Sequence, residues 1–376
     1  VCLALAAPVM ADDFIITSSD GTTNGAGIAA APTAINGSDT VSLGIALTTT
    51  GANEGIDTIN AANTDDGNTI TVSETGSITT TGDGATGIYN EGASNKTTLS
   101  GSITTGGKLT AGIHNEHMST DTDTNDLNET TVSGSIKTTG DGAFGIYNEG
   151  NTNTTTVSGR IETTGATATD DGTAYGAYGI FNEGNKNKTT LSGSIETTGR
   201  SALGIYNKGD TNTTTVSGSI ATGNVSSNSG KNSYGIYNEG SDNTTTLSGD
   251  ITTINWSGYG IYNKGNRNTT IMSGNFTASG TYDSSNYGIL NSGDENITTM
   301  SGIISTVGSS SYGIRNSGSR NKTTVSGSIT TGGSSARGIT NSGNNNETTF
   351  SGSIKTTGSS AYGIYNSGNN NTTTLS

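Results

Sequence analysis

The sequence predicts an all-β chain, a right-handed parallel β-helix with about 25 residues and three short strands per coil. Three observations carry this. Gly-Ile-x-Asn recurs at Gly87, Gly112, Gly145, Gly179, Gly204, Gly235, Gly260, Gly288, Gly313, Gly338 and Gly363, at spacings of 25 residues or 25 with a short insertion. Within each period, three β-favouring pieces alternate with Gly, Asn, Ser and Asp turn signals, and no helical period appears. The composition excludes the other classes. With 28% hydrophobic residues and 58 Gly in 376, the chain falls below the roughly 45–50% apolar content of a compact domain. With 2 Pro and a net charge of −15 spread over that length, it is a poor match for a disordered linker.

From the N-terminus, residues 1–11 (Val1-Cys2-Leu3-Ala4-Leu5-Ala6-Ala7-Pro8-Val9-Met10-Ala11) read as the remnant of a signal peptide cleaved after Ala11. The run is half the length of a transmembrane helix, which needs roughly 20 apolar residues. Cys2, the one cysteine, would leave with it, so the mature product is expected to hold together without disulfides. Residues 12–86 read as degenerate coils, with weak copies at Gly27-Ile28 and Gly55-Ile56. Residues 87–376 are the regular repeats, expected to be truncated at Ser376 inside an ordinary strand.

The coil around residue 150 shows the pattern. Its strands are Gly145-Ile146-Tyr147-Asn148, Thr154-Thr155-Thr156-Val157 and Arg160-Ile161-Glu162-Thr163. Alternation turns Ile146, Asn148, Thr155, Val157, Ile161 and Thr163 inward, and Tyr147, Thr156 and Glu162 outward. Asn90, Asn115, Asn148, Asn182, Asn207 and Asn238 then fall on one line and predict an amide ladder of the cross-β kind. About thirteen coils, about 4.8 Å apart, make a rod on the order of 60 Å long. Three insertions, after Ile161, Ile220 and Phe276, leave from one corner, and a fourth follows Ile113 elsewhere. Loops on one flank mark a binding side or simple drift.

The charge balance, 16 Lys+Arg against 31 Asp+Glu, leaves no footprint for nucleic acid and disfavours anionic membranes. Candidate chemistry is sparse. His114 and His117 form a His-x-x-His pair without a third ligand, and His114 holds an outward Tyr position. Asp121-Thr122-Asp123-Thr124-Asn125-Asp126 opens like a calcium loop but has Asp126 where Gly is needed and Val132 where Glu is needed. Asn63-Thr64-Asp65-Asp66-Gly67 resembles a fragment of a polygalacturonase signature whose other parts are missing. No catalysis, no cofactor and no metal are expected. A catalytic reading would place the active site outside residues 1–376.

Two outward arrays remain. Tyr89, Tyr147, Phe181, Tyr206, Tyr237, Tyr262 and Tyr365 would form an interrupted stripe that stacks on sugar rings, anchors a protein, or stacks on itself. Ranks of Thr raise ice binding, against which Lys96, Lys188, Lys137, Glu162 and Glu196 interrupt the face. The sequons Asn95-Lys96-Thr97, Asn128-Glu129-Thr130 and Asn321-Lys322-Thr323 are by-products of the repeat or glycan acceptors.

The signal-peptide remnant and the cysteine-free Gly/Asn/Ser/Thr coils, such as Tyr362-Gly363-Ile364-Tyr365-Asn366-Ser367-Gly368 with Thr372-Thr373-Thr374-Leu375-Ser376, resemble the passenger domain of a bacterial autotransporter. The resemblance implies export, threading through an outer-membrane barrel expected beyond Ser376, and display at the cell surface. It also implies an adhesin-like rod with a host-surface, glycan or protein ligand. The alternative is a freely secreted solenoid that binds ice or polysaccharide through its Thr and Tyr arrays.

Overall fold

The structure, a computed structural model, describes residues 13–16, 40–49, 54–57, 67–116, 127–165, 168–170, 173–199, 201–223, 232–254, 257–279 and 285–376. It is a right-handed parallel β-helix with three sheets and, among the described residues, no helix. Each coil contributes one strand to each face. The first face holds twelve strands, from Ile56–Asp57 to Tyr362–Asn366, all but the first carrying Gly-Ile-x-Asn. The second holds fourteen, from Asp13–Ile16 to Thr372–Leu375. The third holds twelve, from Ala46–Thr49 to Ser353–Thr357. Pairing is parallel and strictly in register, as in Ile113–Ile146–Ile180 or Val132–Val157–Leu191.

The register explains the sequence pattern. Ile146, Val157 and Ile161 are buried to zero exposure, as are Asn148 and Thr163, so one coil contributes three aliphatics and several polar groups to the same thin core. Two glycines are imposed by close approach. A Cβ on Gly145 would lie 2.3 Å from Ile161 Cγ2 and 2.5 Å from the Gly179 carbonyl oxygen. One on Gly159, at the corner between the second and third faces, would lie 1.8 Å from the Gly134 carbonyl oxygen. Another corner uses the left-handed region without glycine: Thr152, Lys186, Thr211, Asp242, Arg267, Glu295 and Arg320 have φ of 55–61°. A non-glycine residue there costs about 1–2 kcal/mol, so this corner is held by its neighbours rather than by its own preference.

The degenerate coils join the same sheets: Thr40–Leu43 pairs with Thr69–Val72, and Ile56 with Ile88. Three insertions lie between a third-face strand and the next first-face strand, bracketed by Arg160–Thr164 and Tyr178–Glu183, by Ser219–Gly223 and Ser233–Glu239, and by Asn275–Ala278 and Tyr287–Asn291. The first carries an antiparallel hairpin, Ala168–Asp170 with Thr173–Tyr175. The signal-peptide remnant, Gly27-Ile28, Asn63–Asp66, His117 and the Asp121–Asp126 run lie outside the described residues.

Candidate functional site

Three side-chain ladders run along the rod. In the core, the Nδ2 of each first-face Asn donates to the Oδ1 of its counterpart in the next coil, at 2.7–2.8 Å, linking Asn90, Asn115, Asn148, Asn182, Asn207, Asn238 and Asn263. The ladder continues past the residues expected from sequence, through Asn291, Asn316 and Asn341 to Asn366. Each amide also donates to a second-face Thr of its own coil, as Asn148 does to Thr155 at 2.9 Å. Such a chain satisfies groups whose burial alone would be costly.

The second ladder was not foreseen. Asn68, Asn95, Asn128, Asn153, Asn187 and Asn212 follow the left-handed corner, and each backbone N–H donates to the next coil's Asn Oδ1 at 2.7–3.2 Å. Their side-chain amides turn back to glycine carbonyls, Asn128 to Gly92 at 3.1 Å and Asn187 to Gly150 at 3.0 Å. All of these but Asn68 are sequon asparagines, and Asn321 further along the ladder is another. Asn95, Asn128 and Asn321 are buried, so the folded rod offers none of the three to a glycan-transferring enzyme. A third, exposed ladder of Asn, Asp and Ser includes Asn151, Asn185, Asp210 and Ser241, joined at 2.6–2.7 Å.

Outside the core, the first face carries the aromatics. His114, Tyr147, Phe181, Tyr206, Tyr237 and Tyr262 occupy successive register positions and stack with centroids 4.4–5.0 Å apart and planes within 15°. Tyr89 meets His114 edge-on at 5.1 Å. Tyr365 stands apart, separated from Tyr262 by Leu290, Arg315 and Thr340. Because each ring covers its neighbour's face, the stack turns ring edges outward, and a sugar could not lie flat between its members.

A parallel column escaped the alternation rule. Burial along Phe144–Glu149 shows Gly145 and Ile146 both turned in, so the residue before glycine comes out beside Tyr147. Phe144, Tyr178, Leu203, Tyr234, Tyr259, Tyr287 and Tyr312 form this column. Its later rings stack at 4.7–4.9 Å. Phe144, Tyr178, Phe181 and Leu203 form an apolar cluster of their own, distinct from the core. The recurring bulky residue before Gly-Ile was the available signal.

Beside the rings runs a column of charge: Glu91, Glu116, Glu149, Glu183, Lys208, Glu239. Tyr147 donates to Glu183 at 2.9 Å and Tyr206 to Glu239, each tying one coil to the next. Burial and then the Glu239 contact push the Tyr206 hydroxyl well up from its usual range. Burial, then repulsion from Glu149, raises the Glu116 carboxyl. At Glu239 burial also opposes ionisation, but hydrogen bonds from Lys264 and Tyr206 hold the carboxyl below its ordinary value.

No family model, curated protein or solved structure matches this chain.

On the second face an outward column reads Thr from Thr71 through Thr98, Thr131 and Thr156 to Thr374, broken once by Ile271. Its neighbour is interrupted by Lys96, Glu129, Lys188, Lys322 and Glu347, with Lys96–Glu129 at 3.4 Å and Lys322–Glu347 at 3.8 Å. The third face carries exposed pairs, Lys137–Glu162 at 2.9 Å and Arg160–Glu196 at 2.6 Å, each of little energetic weight. His114 lies within the ring stack, its Nε2 3.9 Å from Glu149. Among the described residues no three His, Cys, Asp or Glu converge to hold a metal.

Proposed function

We propose that the chain is a non-catalytic, exported rod of the autotransporter passenger type, displayed at the cell surface and adhesive. The observation that supports this best is how the coils are joined. Among the described residues each touches only its neighbours, through backbone pairing and Asn and Thr ladders, and the chain has a single cysteine, Cys2. A chain built this way can cross a pore unfolded and restack coil by coil, because among the described residues no contact joins coils that are not neighbours. The ring columns and corner insertions are then what the rod presents to a surface, and the barrel that carries it belongs to sequence beyond Ser376.

Protease treatment of intact cells, followed with an antibody to the repeats, tests the reading. Digestion on intact cells is expected. Protection until lysis, or a gene ending within a coil or two of Ser376, overturns it.

A second reading, the freely secreted solenoid that binds ice or polysaccharide, draws on the Thr column from Thr71 to Thr374. The charges in the adjacent column count against a flat ice-matching face. Thermal hysteresis of the purified chain decides it.

A further inference from the structure

Arg315 and Arg337 are the described arginines without a carboxylate. Arg160, Arg267 and Arg320 each pair with Asp or Glu across coils. Arg315 and Arg337 sit instead on the first face, in adjacent coils, where the two ring columns change character. Arg315 follows Tyr262 and Leu290 in one column, and Arg337 follows Tyr287 and Tyr312 in the other. The guanidinium carbon of Arg315 lies 5.3 Å from the Tyr312 centroid. That of Arg337 lies 5.7 Å from Tyr312 and 4.0 Å from Tyr365. Among the described residues the one acceptor for the Arg315 head is the Tyr287 hydroxyl, at 3.3 Å, and Arg337 has none.

The surroundings match. The column that bears Glu149, Glu183 and Glu239 earlier in the rod bears Ser292, Ser317 and Ser342 here. Residues 285–376 contain five Lys and Arg against three Asp and Glu, in a chain with 16 against 31. Two cations are thus held at fixed height by rings, which accept them through their π faces and leave their hydrogen-bonding capacity largely unused.

We propose that Arg315 and Arg337, framed by Tyr287, Tyr312 and Tyr365, form a site for a glycan bearing isolated carboxylates. Guanidinium pairs with carboxylate through parallel N–H···O bonds, and the flanking Ser317 and Ser342 hydroxyls, which donate to the Asn291 and Asn316 carbonyls, keep lone pairs that can accept from a sugar's own hydroxyls. The sparse charge follows from the rest of the molecule. A densely charged polyanion, such as a heavily sulfated glycan or a nucleic acid, would lie along a rod of net charge −15 and be repelled outside this block. A glycan with separated carboxylates can place one on the arginines and present neutral sugar elsewhere. The site gives the adhesive reading a ligand class and rests on it only for its location outside the cell.

The test is titration calorimetry of the purified chain with hyaluronan fragments, whose carboxylates are separated by neutral sugars. Carboxyl-reduced hyaluronan, heparin and duplex DNA are the comparison probes. Binding is expected for hyaluronan alone, weakening as salt rises. Arg315→Gln and Arg337→Gln should each lower affinity roughly ten-fold. Arg160→Gln, on the third face, should leave it unchanged, and thermal unfolding of each variant checks that the rod is intact. No binding, equal binding of the carboxyl-reduced probe, tighter binding of heparin or DNA, or undiminished binding by folded Arg315→Gln/Arg337→Gln overturns the site. Surface exposure on intact cells is read separately, so loss of either reading leaves the other standing.

Discussion

The first face is built twice on the same interior. Between Phe144 and Tyr262 its outside is a file of stacked rings beside a second file of aromatics and Leu203, flanked by Glu and Lys. Between Tyr287 and Asn366 one file is replaced by Leu290, Arg315 and Thr340, the other admits Arg337, and serines stand where the carboxylates were. The Asn ladder beneath continues through both at 2.7–2.8 Å. The two blocks therefore separate what holds a coil from what a coil displays: the inward positions are fixed by register, the outward ones are free to differ.

The largest expected effects test that separation. Phe181→Ala removes a ring that is 2% exposed and stacked on both sides, and should cost about 3–5 kcal/mol in urea denaturation. Arg337→Gln should cost no more than about 1 kcal/mol, the scale of a partly exposed cation–π contact. Equal losses would break the contrast between the blocks. Next come Asn207→Ala and Asn316→Ala, each leaving one ladder donor and one acceptor unpaired. Each should cost about 2–4 kcal/mol, and by the same amount in both blocks. A marked difference would mean that the interior is not uniform.

The fold was legible because period and composition are global properties of the chain: Gly-Ile-x-Asn fixed the coil, and Ile146, Val157 and Ile161 fixed the inside. The column headed by Phe144 was not legible, because strict alternation fails where Gly145 lets two successive residues face inward. The corner ladder of Asn95 and Asn128 was hidden for another reason. Its bonds run from side chain to the backbone of a neighbouring coil, and nothing in local sequence marks them apart from a sequon. The bare arginines are defined by what is missing around them, visible only by contrast with the ion pairs of Arg160, Arg267 and Arg320.

Smaller effects sharpen the contrast through acidity. Glu116 has a raised carboxyl, so its ionised form opposes folding at neutral pH, and the penalty fades as pH falls through that raised value towards the ordinary 4.5. Glu116→Gln should therefore raise the melting temperature at pH 7 and make no difference at pH 4. Glu239 is depressed, so it stabilises at neutral pH and the benefit is lost only as pH falls below 4.5 through its lowered value. Glu239→Gln should lower the melting temperature at pH 7, with the gap closing below pH 4. The smallest effect is Thr152→Asn. A β-branched residue at φ 61° gives way to the residue that Asn345 and Asn370 already supply at φ 55–57°. A gain of about 0.5–1 kcal/mol is expected.

The in-register ladders make the molecule's length a quantity that can be edited. Asn291 donates to Asn316, and Asn316 to Asn341, through the same geometry 25 residues apart. Excising residues 313–337 would bring Asn291 against Asn341 with every bond re-formed, and the rod would shorten by about 4.8 Å. Duplicating the segment would lengthen it by the same step. Such a molecule works as a ruler graduated in coils, in which unequal exchange between repeats resets reach while leaving the interior as it was; this particular excision would also remove Arg315 and Arg337 from the display.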